Sequence, residues 1–140
     1  MKVILIGKTG SGKTTLIQRL QGKEVDYQKT QMVCYSNQYI DTPGEYLENK
    51  MMLRNLLVSS PEVETVVLVQ GGDESQSFFP PSISTMFMGK KVLGVVTKVD
   101  KIDDKNLKMC EDWLRLAGAE KIFHVGFTTE DELEELKKFL

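Results

Sequence analysis

Apolar residues in this chain gather into short runs, separated by polar stretches of helical period. Lys2–Ile6 (KVILI), Thr65–Gln70 (TVVLVQ), Lys91–Thr97 (KVLGVVT) and Lys121–Val125 (KIFHV) have strand length and β-branched content. Their apolar character is nearly continuous, which predicts strands covered on both faces. Met32–Ser36 and Gln38–Asp41 predict a short hairpin around Ser36-Asn37. Between these runs the period changes. Lys13–Leu20 places Leu16, Ile17 and Leu20 on one helix face, and Gly22 stands where a helix stops. Leu47–Ser59 predicts a helix with Leu47, Met51, Leu53, Leu56, Leu57 and Val58 as apolar positions and Pro61 beyond its end. Met51 and Met52 read as adaptable packing in the core or an interface. Pro80-Pro81 starts a short helix over Ser82–Met88. Asp103–Ala117 carries Leu107, Cys110, Trp113, Leu114 and Ala117 on one face, with Asp103 or Asp104 as cap and Gly118 as stop. Thr129 and Glu132 form a capping box for a last helix to Leu140. Strands alternating with helices predict an α/β fold in three layers. The sheet is mostly parallel with one antiparallel strand, and helices lie on both faces.

The loops at the strand ends carry the chemistry. After the first strand, Gly7–Thr14 reads GKTGSGKT and fits G-x-x-x-x-G-K-[ST] without mismatch. Gly7, Gly10 and Gly12 let the backbone approach an anion closely. The loop's N–H groups and the helix N-terminus then face phosphates. Gly7, Lys8, Thr9, Gly10, Ser11, Gly12, Lys13, Thr14 and Thr15 are the candidate phosphate-binding set. Lys13 supplies a point charge to the β- and γ-phosphates, and Thr14 a hydroxyl to Mg²⁺.

Gln21–Gln31 is polar and reads as a loop. Its Thr30 is placed where a switch loop orders a threonine on Mg²⁺. Asp41-Thr42-Pro43-Gly44 gives D-x-x-G at a strand end. Asp41 can hold a Mg²⁺-bound water there, and Gly44 can offer an N–H to the γ-phosphate. Lys13, Thr30 and Gly44 are thus the candidate catalytic set, and Thr14, Thr30 and Asp41 the metal set. Thr97-Lys98-Val99-Asp100 gives [NT]-K-x-D at another strand end. The Asp100 carboxylate can accept from guanine N1–H and its exocyclic amine, a donor pair that adenine lacks. The Lys98 stem can lie along the base. Thr97 stands where Asn is commoner.

Composition narrows the partners. At 140 residues with a net charge of −2, the chain fits one domain with no nucleic-acid role, because phosphate backbones are held by basic surfaces. No apolar run has the length of a membrane span, and the N-terminus is not a signal peptide. Cys34 and Cys110 read as free, structural thiols in a reducing cytosol. His124, the one histidine, reads as a satisfied strand residue. Arg19, Arg54 and Arg115 read as solvated helix residues. Phe78 and Phe79 anchor a loop to the core or form a partner site.

GKTGSGKT, DTPG and TKVD, in that order on those elements, resemble the small-GTPase superfamily of P-loop proteins. With KTQ in the first loop and IDTPGEY, the chain is most similar to the EutP/PduV family (ethanolamine-utilisation protein P and propanediol-utilisation protein V). The likeness runs over essentially the whole chain. It implies a Ras-like fold binding GTP or GDP with Mg²⁺, and association with shell or lumen proteins of bacterial microcompartments. It carries phosphate binding onto Gly7, Gly12, Lys13 and Thr14, metal or γ-phosphate sensing onto Thr30, Asp41 and Gly44, and the base onto Thr97, Lys98 and Asp100. Three features depart from the superfamily. Glu45 follows D-x-x-G where Gln is common, so intrinsic hydrolysis is expected to be slow. Gly126-Phe127-Thr128 stands in place of S-A-[K/L]. The stretch from Thr14 to Asp41 is short. Three readings stay open: a slow GTP-hydrolysing switch or assembly factor, an ATP-dependent phosphotransferase of acetate-kinase type, and a non-hydrolysing scaffold.

Overall fold

The computed structural model describes residues 2–22, 34–35, 38–47, 49–77, 79–80, 83–126 and 130–140. The chain runs β1 (Lys2–Ile6), α1 (Lys13–Leu20), β2 (Cys34–Tyr35), β3 (Tyr39–Asp41), α2 (Lys50–Ser59), β4 (Val63–Gly71), β5 (Lys91–Thr97), α3 (Asp104–Ala117), β6 (Lys121–Val125) and α4 (Glu130–Phe139). The six strands form one sheet in the order β2-β3-β1-β4-β5-β6. Among the described residues only the β2–β3 pairing is antiparallel; β1 pairs in parallel with β3 on one side and β4 on the other.

Alternate residues along each central strand feed two cores. Ile4, Ile6, Ile40, Val66, Leu68, Val92 and Val96 pack under α2 and α3 with Leu53, Leu57, Cys110 and Leu114. Val3, Leu5, Val67, Val69, Leu93, Val95 and Phe123 pack under α1 and α4 with Leu16, Leu20, Leu133 and Leu136. Both faces are covered, so both sets of positions must be apolar. This is the reason for the near-continuous apolar runs.

β1, β5, β6 and α1 have the bounds the patterning predicts. At α3, Asp103 is the cap: its Oδ1 accepts from Asn106 N at 2.8 Å, and Gly118 closes the helix with φ 108°. Other elements differ from expectation. β4 extends beyond Thr65–Gln70 because both of its neighbours pair with it in parallel. α2 starts at Lys50, not Leu47, because Asn49 Oδ1 accepts from Met52 N at 3.1 Å and caps the helix there. Residues Gly44–Leu47 form a separate 3₁₀ turn that buries Leu47. Met51 and Val58 are 73% and 76% exposed, so neither packs in this core. The segment expected as a helix over 82–88 is a 3₁₀ turn over Ile83–Phe87, opened by Ile83 N donating to Pro80 O. Phe79 is buried as an anchor, while Phe78 lies outside the described residues. The described residues of the hairpin pair as expected, with Tyr35 opposite Ile40; Met32, Val33, Ser36 and Asn37 lie outside the described residues. Thr129, expected to cap α4, is outside the described residues; Glu132 Oε2 accepts from His124 N at 3.2 Å. Among the described residues no helix is long and apolar enough to cross a membrane.

Candidate functional site

The carboxyl ends of β1, β3 and β5 lie along one end of the sheet, and the strand order departs from the chain order at β1. Such a point opens a crevice in parallel α/β sheets. The glycine-rich loop lies in it. Gly10 and Gly12 hold φ of 85° and 100°, a region that β-carbons disfavour. Gly12 is also the cap of α1, so the helix N-terminus opens directly behind the loop. A β-carbon on Gly7 would lie 2.5 Å from Val69 O, which holds the loop's first residue against β4.

The loop is tied down from β5. The hydroxyl of Thr97 donates to Ser11 O, and the Thr97 side chain packs over Gly12. Lys98 Nζ donates to Gly10 O at 2.6 Å and lies 3.3 Å from Asp73 Oδ2. Lys98 has φ 59°; among the described residues it is the one non-glycine with positive φ. That conformation is disfavoured for a long side chain and is held by its neighbours. Thr97, expected at a base, is buried with its hydroxyl engaged on the loop. It therefore acts first as a strut between the two motifs.

Lys13 is 5% exposed and folds back over the loop, donating to Gly7 O at 2.8 Å and Lys8 O at 3.3 Å. Thr14 Oγ1 donates to Asp41 Oδ2 at 2.5 Å, so β3's last residue meets the start of α1. A hydroxyl and a carboxylate this close form a hard-oxygen pair of the kind Mg²⁺ takes. Thr42 Oγ1 donates to Leu5 O at 2.8 Å and pins the following turn to β1. A β-carbon on Gly44 would fall on the backbone nitrogen of Thr9, so D-x-x-G and the loop are in contact. Thr30 and the KTQ stretch lie outside the described residues, as do the side chains of Glu45 and Cys34.

A cavity opens beside the loop, lined among others by Gly12, Thr15, Arg19, Lys98, Asp100 and Gly126. Patterning placed Arg19 on a solvated helix face. The structure corrects this: Arg19 Nη1 donates to Gly126 O at 2.7 Å, beyond the end of β6. No local signal marks it, because its partner is distant in the chain. Arg115 does lie on the surface, paired with Glu111 and Asp112. His124 Nε2 sits 3.2 Å from Glu111 Oε1, as a satisfied strand residue. Cys110 is a buried free thiol; burial pushes its pKa up to about 11, which keeps it protonated and unreactive.

A sequence model of the PduV-EutP family, described as ethanolamine utilisation - propanediol utilisation, matches residues 1–140. The chain belongs to the PduV-EutP family. It is 39% identical over 139 residues to propanediol utilization protein PduV of Citrobacter freundii, covering 99% of this chain and 92% of that protein. It is 26% identical over 140 residues to a protein of Escherichia coli strain K12 named probable acetate kinase EutP, covering 99% and 88%. A solved probable GTP-binding protein engB superposes with a TM-score of 0.67 at 21% identity, covering 99% of this chain and 95% of that one. The PduV-EutP fold seen here is thus that of the Ras-like P-loop GTPases.

Behind the site, Gln70 Nε2 donates to Glu74 Oε2 at 3.0 Å. Burial pushes the Glu74 carboxyl above its ordinary 4.5, and the charge of Asp73 adds to this. The folded chain therefore holds this proton more tightly than the unfolded chain. Stability from Glu74 is present in full below pH 4.5 and is lost as pH rises through the raised value. Glu74→Gln should remove that loss, so the variant gains on the parent from mild acid to neutral pH. Urea midpoints measured across that range check this; parallel curves for the two proteins would contradict it.

Proposed function

We propose that this protein binds guanine nucleotide with Mg²⁺ and hydrolyses GTP slowly. The observation that carries the reading is the joining of two motifs through one cavity. It runs from Gly12 and Thr15, at the glycine-rich loop, to Asp100, with Thr97 and Lys98 clamping the loop between them. A nucleotide with its phosphates on the loop then carries its base to Asp100. Family membership and the fold support nucleotide binding.

In this reading the N–H groups of Gly10, Ser11, Gly12, Lys13, Thr14 and Thr15 meet the phosphates, with Gly7, Lys8 and Thr9 completing the cradle. Lys13 swings from its two carbonyl acceptors to the β- and γ-oxygens. Thr14 and Asp41 would hold Mg²⁺, joined by Thr30, and the ion would neutralise charge developing on the phosphates. Gly44, in contact with Thr9, brings its N–H toward the γ-phosphate. Asp100 accepts from N1–H and the amine of guanine, and the Lys98 stem covers its face. Slow turnover follows from Glu45, whose carboxylate is a poor partner for the attacking water beside a triphosphate. We place the protein in ethanolamine or propanediol utilisation, with microcompartment shell or lumen proteins as its partners, on the strength of its family.

The test is a competition titration of GTP, GDP and ATP with Mg²⁺ on the purified protein. Preference for the guanine nucleotides by about 100-fold is the expected result, because an Asp matched to a donor pair rejects a base lacking it. Equal or tighter ATP binding would overturn the guanine reading and move attention to phosphoryl transfer onto acetate.

A further inference from the structure

We propose that Arg19 is a second reader of the base, donating from its guanidinium to the carbonyl oxygen O6 of guanine. The inference rests on the guanine reading above. Arg19 leaves the last turn of α1 and reaches the end of β6, where its Nη1 donates to Gly126 O at 2.7 Å. Asp100 approaches the same glycine from the 3₁₀ turn Val99–Lys101 after β5: a β-carbon on Gly126 would lie 3.0 Å from Asp100 Oδ1. Both side chains line the same cavity. A carboxylate and a guanidinium therefore converge on Gly126 from different elements.

Their order matches one base edge. Guanine presents amine, N1–H and O6 in sequence, which is donor, donor, acceptor. Two carboxylate oxygens followed by an N–H are the complement. Adenine offers an acceptor at N1 and a donor at its amine, so it would set N1 against the carboxylate and the amine against the guanidinium. The fork of a guanidinium carries several N–H groups, so it can hold Gly126 O and address a ring oxygen together. A side chain at Gly126 would press on Asp100 and Val99, so the glycine lets Asp100 sit close to the end of β6. Arg19 thereby sets specificity and fixes the floor of the pocket in one contact.

The experiment measures the affinities of Arg19→Ala and Arg19→Gln for three ligands. GDP keeps all three groups, inosine diphosphate lacks the amine, and 6-thio-GDP replaces O6 by a weakly accepting sulfur. Arg19→Ala should bind GDP and inosine diphosphate about tenfold to 100-fold more weakly than the parent. The loss should largely vanish with 6-thio-GDP. Arg19→Gln keeps a donor for Gly126 O and should show the same pattern, which covers the case in which the alanine variant does not fold. An equal loss on all three ligands would make Arg19 a prop for Gly126 and overturn the inference, as would no loss at all. Failure of the guanine reading looks different, because the parent protein would then bind ADP as tightly as GDP.

Discussion

Lys13→Ala will lose triphosphate binding by at least about 100-fold, since a unit charge near a phosphate oxygen in a partly desolvated loop is worth about 4 kcal/mol. In the structure Lys13 is nearly buried and its ammonium rests on Gly7 O and Lys8 O. That position holds the ammonium against the start of the loop, ready to be drawn to an incoming anion. The loss should be blind to the base: GDP and ADP affinities should fall by the same factor, because the amine addresses phosphate alone. Losing a donor to the Gly7 carbonyl will also cost about 1–3 kcal/mol of stability. Calorimetric titration beside a thermal melt separates the two effects. Triphosphate affinity equal to the parent's in a folded Lys13→Ala protein would remove the glycine-rich loop as the site.

Asp100→Asn should reverse the base preference. An asparagine presents one acceptor and one donor where aspartate presents two acceptors. Guanine then loses a bond and meets a like donor, at a cost of about 2–3 kcal/mol, or roughly 100-fold. Xanthine, which carries a carbonyl in place of the amine, gains what guanine loses. The variant is expected to bind xanthosine diphosphate more tightly than GDP. Thr97 and Lys98 hold the loop through their own bonds, so ADP affinity should stay near the parent's. A ratio of xanthosine diphosphate to GDP affinity that matches the parent's would mean that Asp100 does not face the base.

These expectations draw on two kinds of information. The bounds of β1, β5 and β6 follow from runs of apolar residues that need cover on both faces, and the patterning alone identifies them. α1 is legible in the same way: Gly12 starts it and Gly22 stops it, and both hold positive φ. The start of α2 is less legible, because Leu47 has helical spacing to the residues after it. Asn49 competes for the helix N-terminus and wins it, leaving Leu47 in a separate turn. Met51 and Val58 look like core in a helical count, yet no described element reaches their side of α2.

The site divides along the same line. Sequence alone determined the family, the glycine-rich loop and the residues that end β1, β3, β5 and β6, because these depend on contiguous residues. A run of glycines permits positive φ, successive N–H groups line one loop, and the strand before it and helix after it are local. The tertiary structure alone decided what stands opposite what. Thr97 became a strut, Lys98 took a strained backbone to reach Gly10 O, and Arg19 turned from a surface residue into a wall of the pocket beside Gly126. These contacts join the ends of strands that are neighbours only because parallel pairing sets the sheet order. Parallel pairing needs a crossover between partners, so the facing side chains come from segments far apart in the chain, and no local periodicity records their meeting.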